Sequence, residues 1–326
     1  MELFEQLADK IKGQNKTLVF PEGEDQRIQG AAVRLAADGL IKPILLGKKA
    51  SIDATAKKNN FDLSQITVID IASYPKDDFK EMVRVLVERR HGKTDTATAK
   101  KWLRDPNYFG TLLVYMNLAD GMVSGANHST GDTVRPALQI IKTSADASRI
   151  SGAFVMQRND ERYIFADAAI NIDIDAQTMA EIAVQSAKTA RVFGIDPKVA
   201  MLSFSTKGSA RAPQVDKVQE ATEIAKQLAP DLPLDGELQF DAAFVPEVGQ
   251  AKAPDSLVAG HANVFVFPDL QSGNIGYKIA QRLGGFEAIG PILQGLAQPV
   301  SDLSRGANEE DVYKVAIITA AQSVAN

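Results

Sequence analysis

The sequence predicts an α/β protein of two domains, each a mostly parallel sheet covered by helices. Three observations carry this. Short apolar runs of strand length alternate with helix-length patterns through nearly the whole chain, as parallel sheets with helices on both faces require. At 326 residues the chain exceeds what one hydrophobic core usually serves. A polar, small-residue stretch, Lys142-Thr143-Ser144-Ala145-Asp146-Ala147-Ser148, reads as the linker.

Taken in order, Met1-Glu2-Leu3-Phe4-Glu5-Gln6-Leu7 opens an acidic amphipathic helix without a basic region or a long apolar run, so no signal peptide is expected. Thr17-Leu18-Val19-Phe20 is a strand, followed by a loop and a helix over about residues 25–38. Pro43-Ile44-Leu45-Leu46-Gly47 and Thr67-Val68-Ile69-Asp70 are the next strands, with helices over about 77–90 and 96–103. Gly121-Met122-Val123-Ser124-Gly125 is a small-residue strand feeding a polar loop. A helix over about 133–142 follows, with Pro136 in its first turn, where amides have no intrahelical acceptor to lose. Beyond the linker, 152–157 and 163–168 flank Arg158-Asn159-Asp160-Glu161-Arg162, a hairpin signal. A long helix over 175–193, strands at 199–204, 242–245 and 263–267, and a helix over 274–286 complete the second domain.

Composition excludes several functions. Hydrophobic residues at 45% and charged residues at 24% are ordinary for a soluble globular protein. A net charge of -5 offers no electrostatic case for nucleic acid or an anionic membrane. No stretch approaches the roughly 20 apolar residues of a membrane span, so a cytoplasmic protein is expected. The absence of cysteine excludes disulfides, thiolate metal sites and a cysteine acyl-enzyme. His91, His128 and His261 are isolated, so no metal is expected. Neither G-x-G-x-x-G nor G-x-x-x-x-G-K-[ST] is present, against nicotinamide and nucleoside triphosphate use.

Four places could carry chemistry. Ser129 and Thr130 lie between a strand and a helix, where free amides and the helix dipole favour an anion; equally, Asp132 or Thr133 caps that helix. Arg135 falls in or beside the same first turn, where a cation is disfavoured unless an anion is near. At about 100° per residue, Arg282 comes within roughly 20° of Ile275, on a stripe with Ile279 and Phe286. A guanidinium there requires either an ion pair, for example with Glu287, or a ligand anion. Arg89 and Arg90 end a helix before His91-Gly92, where the dipole prefers cations. Last, Asp302-Leu303-Ser304-Arg305-Gly306-Ala307-Asn308-Glu309-Glu310-Asp311 sets a hydroxyl, a guanidinium and acids around a glycine turn at a helix start. Such a group can hold an oxyanion and take a proton, although physics alone reads the three acids as helix-capping.

That segment and His128-Ser129-Thr130-Gly131-Asp132-Thr133-Val134-Arg135-Pro136 closely resemble the phosphate acetyltransferase (phosphotransacetylase) family. Leu202-Ser203-Phe204-Ser205-Thr206-Lys207-Gly208-Ser209-Ala210, Asp235-Gly236-Glu237-Leu238-Gln239 and Phe267-Pro268-Asp269 extend the resemblance over nearly the whole chain. It implies reversible acetyl transfer between acetyl-CoA and inorganic phosphate, with coenzyme A as a substrate and no tightly bound cofactor. It implies a discontinuous first domain (1–145 plus 296–326), a second domain (146–295), an active-site cleft between them, and a homodimer. Asp311 would be the base, with Arg305 and Ser304 as its catalytic partners. Ser129, Thr130, Arg135, Arg89 (or Arg90) and Arg282 would bind phosphate, acetyl phosphate or coenzyme A. Ala307 stands where many family members carry cysteine, so no role for that thiol transfers here. Phosphate butyryltransferase activity and a non-catalytic acyl-CoA-sensing domain are the alternatives; the intact Ser304, Arg305 and Asp311 set speaks against the second.

Overall fold

The computed structural model describes residues 3–325. In chain order the elements are α1 (Leu3–Ile11), β1 (Thr17–Phe20), α2 (Gln26–Ala37), β2 (Lys42–Leu46), α3 (Lys49–Asn59), β3 (Thr67–Ile69), α4 (Lys76–Arg89), α5 (Thr96–Trp102), α6 (Pro106–Tyr115), β4 (Gly121–Ser124) and α7 (Thr130–Ile140). Then come β5 (Ser151–Arg158), β6 (Glu161–Ala166), α8 (Ala176–Val192), β7 (Val199–Leu202), α9 (Pro213–Leu228), β8 (Leu234–Leu238), α10 (Phe240–Phe244), α11 (Pro246–Lys252), β9 (Val264–Val266), α12 (Leu270–Arg282) and β10 (Glu287–Gln294). β11 (Val300–Asp302) and α13 (Glu309–Ala325) close the chain. Two compact units result: residues up to Lys142 with those from Leu296 onward, and Thr143–Gly295.

The first unit is built on a five-stranded sheet of order β11-β4-β1-β2-β3, parallel throughout. Leu18, Val19, Phe20, Leu45, Leu46, Met122 and Val123 are fully buried, as a sheet covered on both faces requires. Helix α2 buries Ile28, Ala31, Ala32 and Leu35; α13 buries Val312, Ala316, Ile317 and Ala320. The buried strand hydroxyls are satisfied: Ser124 Oγ donates to Asn107 Oδ1 at 2.7 Å, and Ser301 pairs with Thr319 at 2.7 Å. Left unpaired, each would cost about 1–3 kcal/mol. Arg34 on α2 holds the start of α13, donating to Glu309 at 3.2 Å and Glu310 at 2.8 Å and lying 4.3 Å from the Tyr313 ring centroid.

The second unit has a six-stranded sheet of order β10-β5-β6-β9-β7-β8. β5 pairs antiparallel with both β10 and β6, which is the expected hairpin; the remaining pairs are parallel. Phe154, Phe165, Phe265 and Phe267 fill its core.

Three local expectations are corrected. Residues 242–245, expected as a strand, fall mostly in α10; the strand is β8, whose polar residues mask it. Glu237 is buried there because Gly208 N–H (2.7 Å), Ser205 Oγ (3.0 Å) and Gln219 Nε2 (3.0 Å) all donate to it. Helix α7 starts at Thr130 rather than near 133, because Ser129 and Asp132 form a reciprocal capping box. Pro136 therefore lies inside the helix, and Arg135 in its second turn. The stripe on α12 is not core, since Ile275 is 57% exposed and Ile279 53%; only Phe286, beyond the helix end, is partly buried and packs against the core. Arg282 is exposed with the two isoleucines, so burial does not oblige it to find an anion. Among the described residues no helix is long and apolar enough to cross a membrane, and no His, Asp and Glu cluster could hold a metal ion.

Candidate active site

The site is assembled where β1, β4 and β11 end, at the C-terminal edge of the first sheet. β4 and β11 run in register, Asp302 beside Ser124, so the loops leaving them start side by side. Leu303 N–H donates to Ser124 O at 2.7 Å. Gly125, at φ +118, makes this approach possible: a Cβ there would stand 2.5 Å from Leu303 O and 2.6 Å from Asp302 Oδ1.

Residues 125–128 wrap around the carboxylate of Glu22, which follows β1 and whose side chain is 2% exposed. It accepts the N–H groups of Gly125 (3.0 Å), Ala126 (2.8 Å), Asn127 (2.6 Å) and His128 (3.0 Å), and His128 Nδ1 lies 2.7 Å away. A protein carboxylate thus fills this nest of amides and fixes the loop that delivers Ser129 and Thr130. Arg27 joins that loop to the one after β11. It donates to Ala126 O (3.1 Å), Arg305 O (3.2 Å) and Ala307 O (2.7 Å), while Asp25 takes Nε and Nη2 at 3.0 and 2.8 Å. Burial would raise the Asp25 carboxyl, but hydrogen bonds from Arg27 and Asn127 outweigh it and hold that carboxyl below its usual range.

On this frame six of the eight sequence-predicted residues come together. Ser129 caps α7 and exchanges hydrogen bonds with Asp132, whose carboxyl is held low by the Ser129 hydroxyl and amide. Thr130 is the first helical residue, and Oγ1 donates to Asp302 Oδ2 at 2.6 Å. The Arg135 guanidinium folds back along α7, with Nη2 3.8 Å from where a Gly131 Cβ would stand. Ser304 and Arg305 are exposed on the turn before α13, and Ser304 Oγ accepts the Gly306 N–H at 3.3 Å. Asp311 Oδ2 accepts the Asn308 N–H at 2.9 Å, and Asp311 N–H donates to Asn308 Oδ1 at 2.9 Å. Two helices, α7 and α13, therefore begin at this edge, and the first amides of each lack intrahelical acceptors.

Arg89 is elsewhere. It donates to Ile140 O (2.6 Å) and Ile141 O (2.8 Å) and lies over the Tyr115 ring, at the far end of α7. Arg90 donates to Gln139 O at 3.0 Å in the same place. Arg282 belongs to the second unit. Sequence reasoning missed Glu22, Arg27 and Asp302. The charged run Pro21-Glu22-Gly23-Glu24-Asp25-Gln26-Arg27, immediately after a buried strand, was the available signal.

Hydroxyls, cations and helix starts gathered beyond the strand ends of a parallel sheet are the setting in which α/β enzymes commonly bind anionic ligands. The family described as Phosphate acetyl/butaryl transferase matches residues 2–320, and the chain belongs to that family. It is 57% identical over 323 residues to the phosphate acetyltransferase of Bacillus subtilis (strain 168), covering 99% of both chains. It is 56% identical over 328 residues to that of Staphylococcus aureus (strain MRSA252), again covering 99% of both. Among solved structures, a phosphotransacetylase from Streptococcus pyogenes superposes with a TM-score of 0.97 at 63% identity, covering 99% of this chain and 98% of that one.

Proposed function

We propose that this chain is a phosphate acetyltransferase, moving an acetyl group reversibly between acetyl-CoA and inorganic phosphate. The observation that supports it most is the convergence of Ser129, Thr130, Arg135, Ser304, Arg305 and Asp311 on one sheet edge, in a chain so close to enzymes of that name. A free thiol titrates near about 8.5, so coenzyme A arrives mostly protonated. Asp311 takes the thiol proton as sulfur attacks the carbonyl carbon of acetyl phosphate. The S–C bond forms, the C–O bond to phosphate breaks, and phosphate leaves with the electron pair. Arg305 neutralises the developing charge and Ser304 donates a hydrogen bond to it. Ser129, Thr130 and Arg135 hold the phosphate end. Both substrates are present together and no covalent enzyme intermediate forms.

Arg89 and Arg282 are assigned to substrate binding by resemblance alone; the hydrogen bonds of Arg89 favour a first duty at the end of α7. Coenzyme A acts as a dissociating substrate, the site of action is the cytoplasm, and the working form is a homodimer, for which the exposed stripe on α12 offers an apolar face. The test is acetyl-CoA formation by purified protein from acetyl phosphate and coenzyme A, with neither nicotinamide nor metal added and a chelator present. Thioester absorbance should rise; its failure to do so overturns the reading.

A further inference from the structure

Thr130 has one hydroxyl proton, and it is already given to Asp302 Oδ2 at 2.6 Å. While Asp302 is a carboxylate, Thr130 can turn only lone pairs toward the site, and lone pairs repel a phosphate oxygen. The second Asp302 oxygen, Oδ1, is buried and accepts no hydrogen bond among the described residues; the buried hydroxyl of its neighbour Thr133 likewise completes none. A buried carboxylate oxygen without a donor is costly when charged and far less so in the neutral acid.

We propose that Asp302 is a proton-holding positioning residue, which takes up a proton when a phosphate group binds and so turns Thr130 from acceptor to donor. This rests on the phosphate-binding role given above to Thr130. The exchange balances simply. One proton from solvent joins Asp302, the new acid O–H donates to Thr130 Oγ1, and the Thr130 proton turns to a phosphate oxygen. No bond to carbon or phosphorus changes. Burial pushes the Asp302 carboxyl above its usual range and the Glu22 charge adds to this, opposed by the Thr130 hydroxyl and by the nearby Thr133 hydroxyl, which stands close without completing a well-formed hydrogen bond. The charged groups facing this corner are Glu22 with His128, the Asp25–Arg27 pair, Asp132 and Arg135 from α7, and Arg305 and Asp311 before and on α13. No cation among them hydrogen-bonds to Asp302 in the described residues.

Inorganic sulfate is the probe, because its charge stays constant where phosphate titrates. Its affinity is read by competition against phosphate, and its proton linkage by calorimetry in buffers of different ionisation heat. For the unaltered enzyme, affinity should fall as pH rises through and above the raised folded value of the Asp302 carboxyl, by at most about tenfold per unit, with proton uptake of at most about one per sulfate. Asp302→Asn, whose amide can donate to Thr130 at any pH, should bind sulfate with little pH dependence and lose the uptake. Thr130→Val, a second variant that keeps Asp302, should bind sulfate about tenfold or more weakly and also lose the uptake, at the usual cost of a hydrogen bond to a charged group. Persistence of the original pH profile and uptake in Asp302→Asn overturns the proposal. So does weakened binding with undiminished uptake in Thr130→Val, which leaves the acetyl-transfer reading standing. Unchanged sulfate affinity in Thr130→Val at every pH removes Thr130 from the anion site and overturns the proposal together with the phosphate-binding role of Thr130, while acetyl-CoA formation tests the acetyl-transfer reading separately.

Discussion

Asp311 accepts the Asn308 N–H while its own N–H donates to Asn308, so the carboxylate proposed as base also closes the first turn of α13. The two duties separate by substitution. Asp311→Asn keeps an acceptor for the cap and should melt close to the unaltered protein, by about 1 kcal/mol at most, while turnover falls roughly a hundredfold or more. Higher pH should partly restore it, because more coenzyme A arrives as thiolate; thermal melts beside initial rates check both. Arg305→Lys should lose roughly a hundred- to thousandfold in turnover, about 2.7–4 kcal/mol, since lysine lacks the planar fork that matches phosphate. Retention of most turnover would reduce Arg305 to a distant charge. Asp302 and Asp25 should show opposite pH signatures in stability. The raised carboxyl of Asp302 contributes stability below 3.8 that is lost as pH rises through its folded value, so Asp302→Asn should melt higher than the parent at neutral pH and converge with it in acid. The depressed carboxyl of Asp25 contributes above 3.8 and fades as pH falls through its folded value, so Asp25→Asn should melt lower at neutral pH and converge in acid. Melting temperature against pH for both variants reads the crossing. At this scale the sequence was legible where a residue acts through local spacing, as with the acidic start of α13. Glu22 and Arg27 were not, because their partners are backbone groups of segments remote in the chain. The surroundings of Arg282, though not its proposed role, were misread for another reason: helical spacing reveals a stripe but not which side of it meets water.

Helix α7 shows how one element serves both ends. Its N-terminus presents Ser129 and Thr130, and its last carbonyls, from Gln139, Ile140 and Ile141, are taken by Arg90 and Arg89. Its 11 residues span about 16 Å, which sets Arg89 that far from the Ser129 end. Arg89→Met should therefore cost about 1–2 kcal/mol through carbonyls left without charged donors, measured by chemical denaturation. A KM change confined to coenzyme A, beyond any loss of folded protein, is what a ligand role for Arg89 requires. The start of this helix was readable in principle. Ser129 and Asp132 have capping-box spacing, but Pro136 drew the boundary three residues late because proline is commonest in a first turn. Strands β1, β2 and β4 were plain as apolar runs between turn signals, whereas β11 is three residues long and carries two polar side chains. Only its partner β4 makes it a strand.

For the whole molecule, the lack of cysteine predicts that thiol-directed reagents, removed before assay, leave acetyl transfer intact. Stoichiometric inactivation would reveal a reactive group outside the proposed mechanism. A charge placed on the α12 stripe, as in Ile279→Glu, should shift the proposed dimer toward monomer in sedimentation without unfolding it, since Ile279 is already 53% exposed. The two-layered alternation of strands and helices was legible across the chain, but the return of β11 and α13 to the first unit was not, because no local pattern states which sheet edge a strand will join. That return has a consequence for biosynthesis. β4 and β11 are neighbours in the sheet, yet the entire second unit is translated between them. At about 5–20 residues per second, roughly 175 intervening codons keep the nascent β4 waiting on the order of 10–35 s with one edge unpaired. Ser129 and Thr130 are made early, and Ser304, Arg305 and Asp311 reach them last. A chain cut short anywhere in the second unit lacks the proposed catalytic loop, so the order of translation itself would keep truncated chains from the proposed acetyl transfer.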